Sequence, residues 1–269
     1  MKIKNFKKTS QVVRATMKEQ AQSETTYLGN FWFDVSSTVV FAIIMLSFLS
    51  LLFRRVGSIA GYTKNDYLFM IVVGEFTFFT VAAFLVEPMI FLKDSVRNGY
   101  FDLMLLRPVP LKTYIYARAI RPLHTIMAAL PNILLFVFAV NWAKIDVTPL
   151  SVLLGIFVWI CGLIIFNTLM LALTMPVFTL GDSSDMQGSW YSVVSMNMMP
   201  YEKLPSFMKF LSLTFTPSVL MTAGAAFVMM QKGNSVPVLV SAVFATIVSL
   251  LIYRLMWRHA LNNYTSASS

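Results

Sequence analysis

Residues 31–53 read FWFDVSSTVVFAIIMLSFLSLLF, a run with one acidic residue and no basic one. A segment this long and apolar crosses a bilayer as a helix, because hydrocarbon offers the backbone no hydrogen-bond partner and only a closed ladder satisfies every N–H and C=O. Runs of the same kind recur at roughly Tyr67–Val86, Pro122–Val140, Leu150–Met175 and Val236–Trp257. Two further pieces, Trp190–Met199 and Phe207–Met230, are interrupted by Pro200, Pro205 and Pro217. The chain therefore reads as an all-α integral membrane protein of about six spans forming a single domain over 1–269, and a mean hydropathy of +0.70 leaves no room for a large soluble part. Pro131 inside the third run predicts a kink that neighbouring helices tolerate.

Basic residues set the orientation. Six lie near the start (Lys2, Lys4, Lys7, Lys8, Arg14, Lys18), six around residues 93–121 (Lys93, Arg97, Arg107, Lys112, Arg118, Arg121) and two near the end (Arg254, Arg258). With six alternating spans all three groups fall on one face, which should be the cytoplasm, so both termini are expected inside. Arg54 and Arg55 run against that assignment. The same rule accounts for the net charge of +9 without a nucleic-acid partner. Residues 1–28 lack the apolar core of a cleaved signal. Val12, Val13 and Met17, set against Lys7, Lys8, Arg14 and Lys18, predict a short helix on the inner membrane surface.

The fifth crossing within 182–235 has two arrangements. In one, Phe207–Met230 crosses and 182–206 stays inside; in the other, a segment near 183–199 crosses and 200–217 forms an outer re-entrant hairpin. Hydropathy and charge favour the first.

Several chemistries are missing. No GxxxxGK[ST] loop is present, so the chain does not bind ATP in that manner. His124 and His259 have no neighbouring ligand residues, and no serine, histidine and acid form a set. The expectation is no catalytic residue, no metal and no cofactor on this chain. Cys161 is the sole cysteine, so no intrachain disulfide forms. Trp32, Trp142, Trp190 and Trp257 suit membrane interfaces, whereas Trp159 and the MNMM run (Met196, Met198, Met199) suit packing or, alternatively, the lining of an apolar substrate path. Glu75, in the second span, is costly in hydrocarbon and must face protein or water. It predicts a hydrogen bond to a neighbouring helix, through Asn132 or Asn167, or else a proton relay. Asp34 and Asn197 are weaker candidates of the same kind.

The segment LKDSVRNGYFDLMLLRPVPLKTYIYAR, residues 92–118, is polar between apolar runs. Written as a helix over Leu92–Leu106, it places Asp94, Asn98 and Asp102 on one stripe and Val96, Tyr100 and Leu103 on another, with Gly99 permitting close approach. Phe101, Met104 and Leu105 widen the apolar surface, and RPVP stops the helix. Such a surface predicts a docking helix for a cytoplasmic partner, within a loop spanning 87–121.

The motif SVRNGYFDLMLLRPVPL resembles the G-x-x-D-x-x-L-x-R-P signature of ABC-2-type permeases in the daunorubicin-exporter-like group, matched by Gly99, Asp102, Leu105, Arg107 and Pro108. PYEKLPSFMKFLSLTFTPSV is similar to the proline-punctuated stretch between the last two spans of that group. The resemblance implies a permease subunit of an ATP-driven exporter in the bacterial cytoplasmic membrane. A second permease chain, the same or different, completes it, and two copies of a cytoplasmic ATPase carry the ATP and Mg. It implies that 87–121 supplies the coupling helix, with Asp94, Val96, Gly99, Tyr100, Phe101, Asp102, Leu105, Arg107 and Pro108 at the ATPase, and it favours the re-entrant hairpin. The alternative is an ion-coupled secondary transporter or channel that uses Glu75.

Overall fold

The structure, a computed structural model, describes residues 10–19, 22, 28–120, 122–180, 205, 207 and 219–264. Helix α1 covers 10–19, with Val12, Val13, Thr16 and Met17 turned inward and Arg14, Lys18 and Glu19 outward. Its amphipathic pattern is the expected one, yet Val12 packs against buried protein side chains rather than facing lipid alone. Helix α2 (Leu28–Val56) leads into a hairpin of β1 (Ser58–Ile59) and β2 (Tyr62–Thr63). The two turn residues, Ala60 and Gly61, have φ of 57° and 85°, the geometry that matches the twist of a two-residue hairpin. Then follow α3 (Lys64–Val81), α4 (Glu87–Arg97), α5 (Tyr100–Leu105), α6 (Leu111–Ala119), α7 (Pro122–Ala139), α8 (Pro149–Thr174), α9 (Val177–Leu180), α10 (Ala225–Met229) and α11 (Val236–Asn262).

Among the described residues, four stretches are long and apolar enough to cross a membrane: Val35–Val56, Lys64–Arg97, Pro149–Thr179 and Val236–Asn262. Ala129–Ala139 and Leu220–Met229 are shorter apolar helices. The all-α membrane architecture is therefore as expected, with Pro131 carried inside α7. The second span differs from its expected extent. A π-turn over Ala82–Val86 joins α3 to α4 without a break, giving 34 helical residues. At about 1.5 Å per residue this helix exceeds the roughly 30 Å of hydrocarbon, so α4, with Lys93, Asp94 and Arg97, projects beyond it.

The helices alternate in direction, which gives the bundle two ends. One gathers the ends of α4, α8 and α11 with α1, α5 and α6. The other gathers the hairpin, the α7–α8 link and residues 230–235. That second end is held by polar groups. Thr63 and Asp66 cap α3 reciprocally, and Thr148 and Ser151 cap α8 in the same way. Buried Asp66 also accepts from Lys232 Nζ at 2.8 Å.

The centre belongs to the segment at 219–230, whose residues Leu220–Val228 are almost wholly enclosed. It runs from mid-bundle, where the Thr77 hydroxyl lies 2.9 Å from the Met221 carbonyl, to the polar end, where Ser151 Oγ donates to the Met229 carbonyl at 2.8 Å. Gly155 and Gly162, seven apart on α8, allow this approach. A Cβ at Gly162 would meet the Met221 backbone nitrogen at 2.8 Å, and one at Gly155 would clash with Met229 Cγ. Small residues let helix backbones close up where lipid supplies no hydrophobic drive. Of the two arrangements of the fifth crossing, residues 219–230 are described, whereas Trp190, Asn197, the MNMM run and most of the 200–217 hairpin lie outside the described residues, as do Lys2–Lys8 and Arg121.

Candidate functional site

The segment between the second and third spans begins where α4 ends. Asn98 N–H donates to the Asp94 carbonyl at 2.9 Å, and Gly99 then takes a left-handed φ of 71°. An L side chain is strained in that conformation. The single helix expected over Leu92–Leu106 is therefore two helices, α4 and the six-residue α5, hinged at Gly99. The glycine acts as a corner, which the approach argument drawn from sequence did not anticipate.

The corner decides which side chains face outward. Phe101 and Met104 point into the protein and are buried, and Val96 is buried on α4. Phe101 and Val96, expected at a partner's surface, are thus core residues here. Tyr100 and Asp102 are half-buried, while Asp94, Leu105, Arg107 and Pro108 are exposed. Leu103 and Leu106 join Leu105 on the outer face, and Leu106 is 81% exposed.

Three contacts fix α5 in place. Phe101 meets Phe178 of α9 edge-on at 5.4 Å and Tyr264, beyond the end of α11, at 4.8 Å; Phe178 and Tyr264 close the triangle at 6.0 Å. Offset and edge-on ring pairs add to ordinary burial. The Tyr264 hydroxyl donates to Asp102 Oδ1 at 2.9 Å. Tyr100 and Tyr114 share a 3.1 Å hydrogen bond, Arg107 Nη2 lies 3.4 Å from the Tyr100 hydroxyl, and the Arg107 guanidinium covers the Tyr114 ring at 4.7 Å. Burial, then the hydrogen bond from Tyr100, pushes the Tyr114 phenol above its usual range.

Helix α6 carries this unit to the spans. Lys112 Nζ sits over the rings of Tyr253 (4.0 Å) and Trp257 (4.8 Å) on α11. Burial, then repulsion from Arg254, lowers the Lys112 pKa. The Tyr116 hydroxyl donates to Asn167 Oδ1 of α8 at 2.7 Å, and burial raises its pKa well above the ordinary phenol value. An exposed ion pair, Arg118 to Glu19 at 3.5 Å, ties α6 to α1. The loop is thus joined to α4 directly, to α8 through Tyr116 and Asn167, and to α11 through Lys112.

Glu75 lies apart from this loop. It is buried, and Asn132 Nδ2 of α7 donates to its Oε2 at 2.7 Å. This is one of the two helix partners expected for it; the other, Asn167, is taken by Tyr116. Trp159 packs as expected and donates its indole N–H to Thr77 at 2.9 Å. Among the described residues no cluster of His, Cys, Asp or Glu has the makings of a metal site.

A helical bundle with four described stretches long and apolar enough to cross a membrane defines a multi-pass membrane protein. The sequence model described as ABC-2 family transporter protein matches residues 39–268, and the chain belongs to that family. No curated protein and no solved structure matches it. Family membership makes it an ABC transporter component of the membrane and agrees with the resemblance read from Gly99, Asp102, Leu105, Arg107 and Pro108.

The residues that brace the loop escaped sequence reasoning. Phe178, Tyr264, Tyr114, Lys112 and Asn167 carry no motif, and most lie far from residue 100 along the chain. The one available signal was the density of tyrosines at 114, 116, 253 and 264 near predicted span ends.

Proposed function

We propose that this chain is the permease subunit of an ATP-driven exporter and that a separate cytoplasmic ATPase docks on the loop 97–110. The partner would hold the ATP and Mg, in two copies, and a second permease chain, the same or different, would complete the path. Both termini then lie in the cytoplasm, on the loop side. One observation carries the reading: Leu103, Leu105 and Leu106 stand exposed on a short helix that is fixed by an aromatic clasp and joined to three spans. Clustered exposed leucines beyond the span ends mark a contact surface, and buried apolar anchors dominate such contacts at roughly 2 kcal/mol or more each.

Asp94 and Arg107 supply the polar rim of that surface, with Pro108 exposed beside them, whereas Phe101, Val96 and Asp102 position it. The structure gives the ion-coupled alternative no support beyond the burial of Glu75, whose bond to Asn132 is what helix packing requires.

The test is recovery of an ATP-binding subunit when the tagged chain is purified in detergent after expression with its genomic neighbours. Leu105→Asp with Leu106→Asp is expected to abolish recovery while membrane insertion persists. Gly99→Trp is expected to do the same by straightening the corner, and Asp102→Arg by releasing Tyr264. Normal recovery with the double leucine variant would overturn the docking assignment.

A further inference from the structure

At the end of the bundle away from the loop, a cavity of about 640 Å³ lies between α2, the start of α3 and the α7–α8 link. That volume is in the range of small-molecule sites. Arg54, Lys64 and Lys144 line it together with the polar side chains of Ser50, Thr63, Asn65 and Asn141, over a floor that includes Phe53 and Leu68. We propose that this cavity binds an anionic, phosphate-type group.

The charges are the first argument. No carboxylate lines the cavity, and among the described residues none of the three cations is paired with one. Lys232, at the same end, shows the contrast, because it is matched to buried Asp66 at 2.8 Å. Cations gathered without counter-charge in a concave site raise the local concentration of anions.

The distribution of the basic residues points the same way. Basic residues concentrate at the loop end, as one face of a membrane protein requires. The five described at the opposite end are Arg54, Arg55, Lys64, Lys144 and Lys232. Three of those five line this one cavity, which is not how scattered interfacial anchors are arranged.

The wall is also built in advance. Asn65 Nδ2 donates to the Asn141 carbonyl at 2.9 Å, and Asn141 N–H returns a bond to Asn65 Oδ1 at 2.7 Å. Lys64 Nζ is held by Ser50 Oγ at 2.9 Å, with further protons left to donate. The floor is apolar, and one turn before Arg54 the exposed side chain of Leu51 continues the apolar surface along α2. A headgroup in the cavity therefore has a path for its tail. The headgroup can come from a bilayer lipid or from a free phosphate compound, and the proposal does not depend on the ATPase pairing above.

The test uses the full chain purified in a neutral detergent at low salt, titrated with short-chain phosphatidylglycerol, the matched phosphatidylcholine or inorganic phosphate, and read as a saturable thermal shift. Phosphatidylglycerol is expected to bind at least about 10-fold more tightly than phosphatidylcholine, as an electrostatic difference of this kind requires. The triple variant Arg54→Gln, Lys64→Gln, Lys144→Gln should lose at least about 10-fold. The charge-retaining set Arg54→Lys, Lys64→Arg, Lys144→Arg controls for folding and should keep most of the binding. Arg55→Gln, at the same end outside the cavity, should keep it too. Saturable binding of inorganic phosphate with the same loss supports the site and assigns it to a free anion. Equal binding of the two lipids, an unaffected triple variant, or an equal loss in Arg55→Gln would overturn it.

Discussion

The two ends of the bundle solve the same problem by different means. At the loop end, distant parts of the chain are held by rings: Phe101, Phe178 and Tyr264 form a triangle, and Lys112 lies across Tyr253 and Trp257. At the other end, links are short, and ring contacts such as Phe69–Trp142 and Tyr62–Tyr67 are joined by more directional bonds: two capping boxes, the Asn65–Asn141 pair and the Asp66–Lys232 bridge. Aromatic packing leaves the backbone of a long loop free to turn outward and still fixes it. Hydrogen-bonded caps pin tight links close to the span ends. The first arrangement suits an element that transmits force, the second one that frames a cavity.

The largest effect that would sharpen this contrast is expected from Phe101→Ala. Removing a fully buried ring from the clasp should cost about 3–5 kcal/mol, read as a drop in unfolding temperature and as early proteolysis within 97–121. If only the opposite end became protease-sensitive, the clasp would not be what holds the loop. Next comes Gly162→Leu at the centre. Its side chain has nowhere to go against the Met221 backbone, and overpacking of this kind costs about 1–3 kcal/mol, measurable as lowered thermal stability.

Asp66→Asn probes the polar end. Three donors, Thr63 N–H, Thr63 Oγ1 and Lys232 Nζ, converge on Oδ2 of Asp66 at 2.8–2.9 Å. Loss of the charge should destabilise by about 1–3 kcal/mol. The loss should shrink in high salt, since the Lys232 end of the bridge is partly exposed.

Tyr264→Phe is the mildest. It keeps the ring triangle and deletes one hydrogen bond to Asp102, at about 1 kcal/mol. ATPase recovery should fall less than with Leu105→Asp and Leu106→Asp. Those two exposed sites should themselves change stability by less than about 0.5 kcal/mol, so binding and folding separate cleanly there.

Alkaline pH offers a further check. Burial raises the Tyr116 pKa, so the folded chain keeps a proton that the unfolded chain releases near pH 10. The stability this contributes is complete below that pH and is lost as pH climbs through the higher folded value. Tyr116→Phe should flatten the decline, as followed by unfolding temperature against pH.

The spans were legible because their signal is local. Residues 35–56 and 236–262 are each apolar over a length that only a membrane accommodates, and a partner is not needed to see it. The RPVP stop and the signature residues Gly99, Asp102, Leu105, Arg107 and Pro108 were legible for the same reason, as was Glu75, whose burial demanded the partner that Asn132 provides. Helical periodicity erred at residues 92–106 because it treats glycine as one more position on a face. Once Gly99 is left-handed, Phe101 turns inward and Leu106 outward.

What the sequence by itself determined is the membrane class, the placement of most spans and the identity of the loop, since each follows from hydropathy, charge or a contiguous motif. The tertiary structure alone decided which loop residues are exposed, which distant tyrosines and phenylalanines hold them, and that Arg54, Lys64 and Lys144 share a cavity. Those residues lie far along the chain from their partners, Tyr264 being 162 positions from Asp102. Contacts at such separations depend on how helices of known length pack side by side, and no local pattern encodes that.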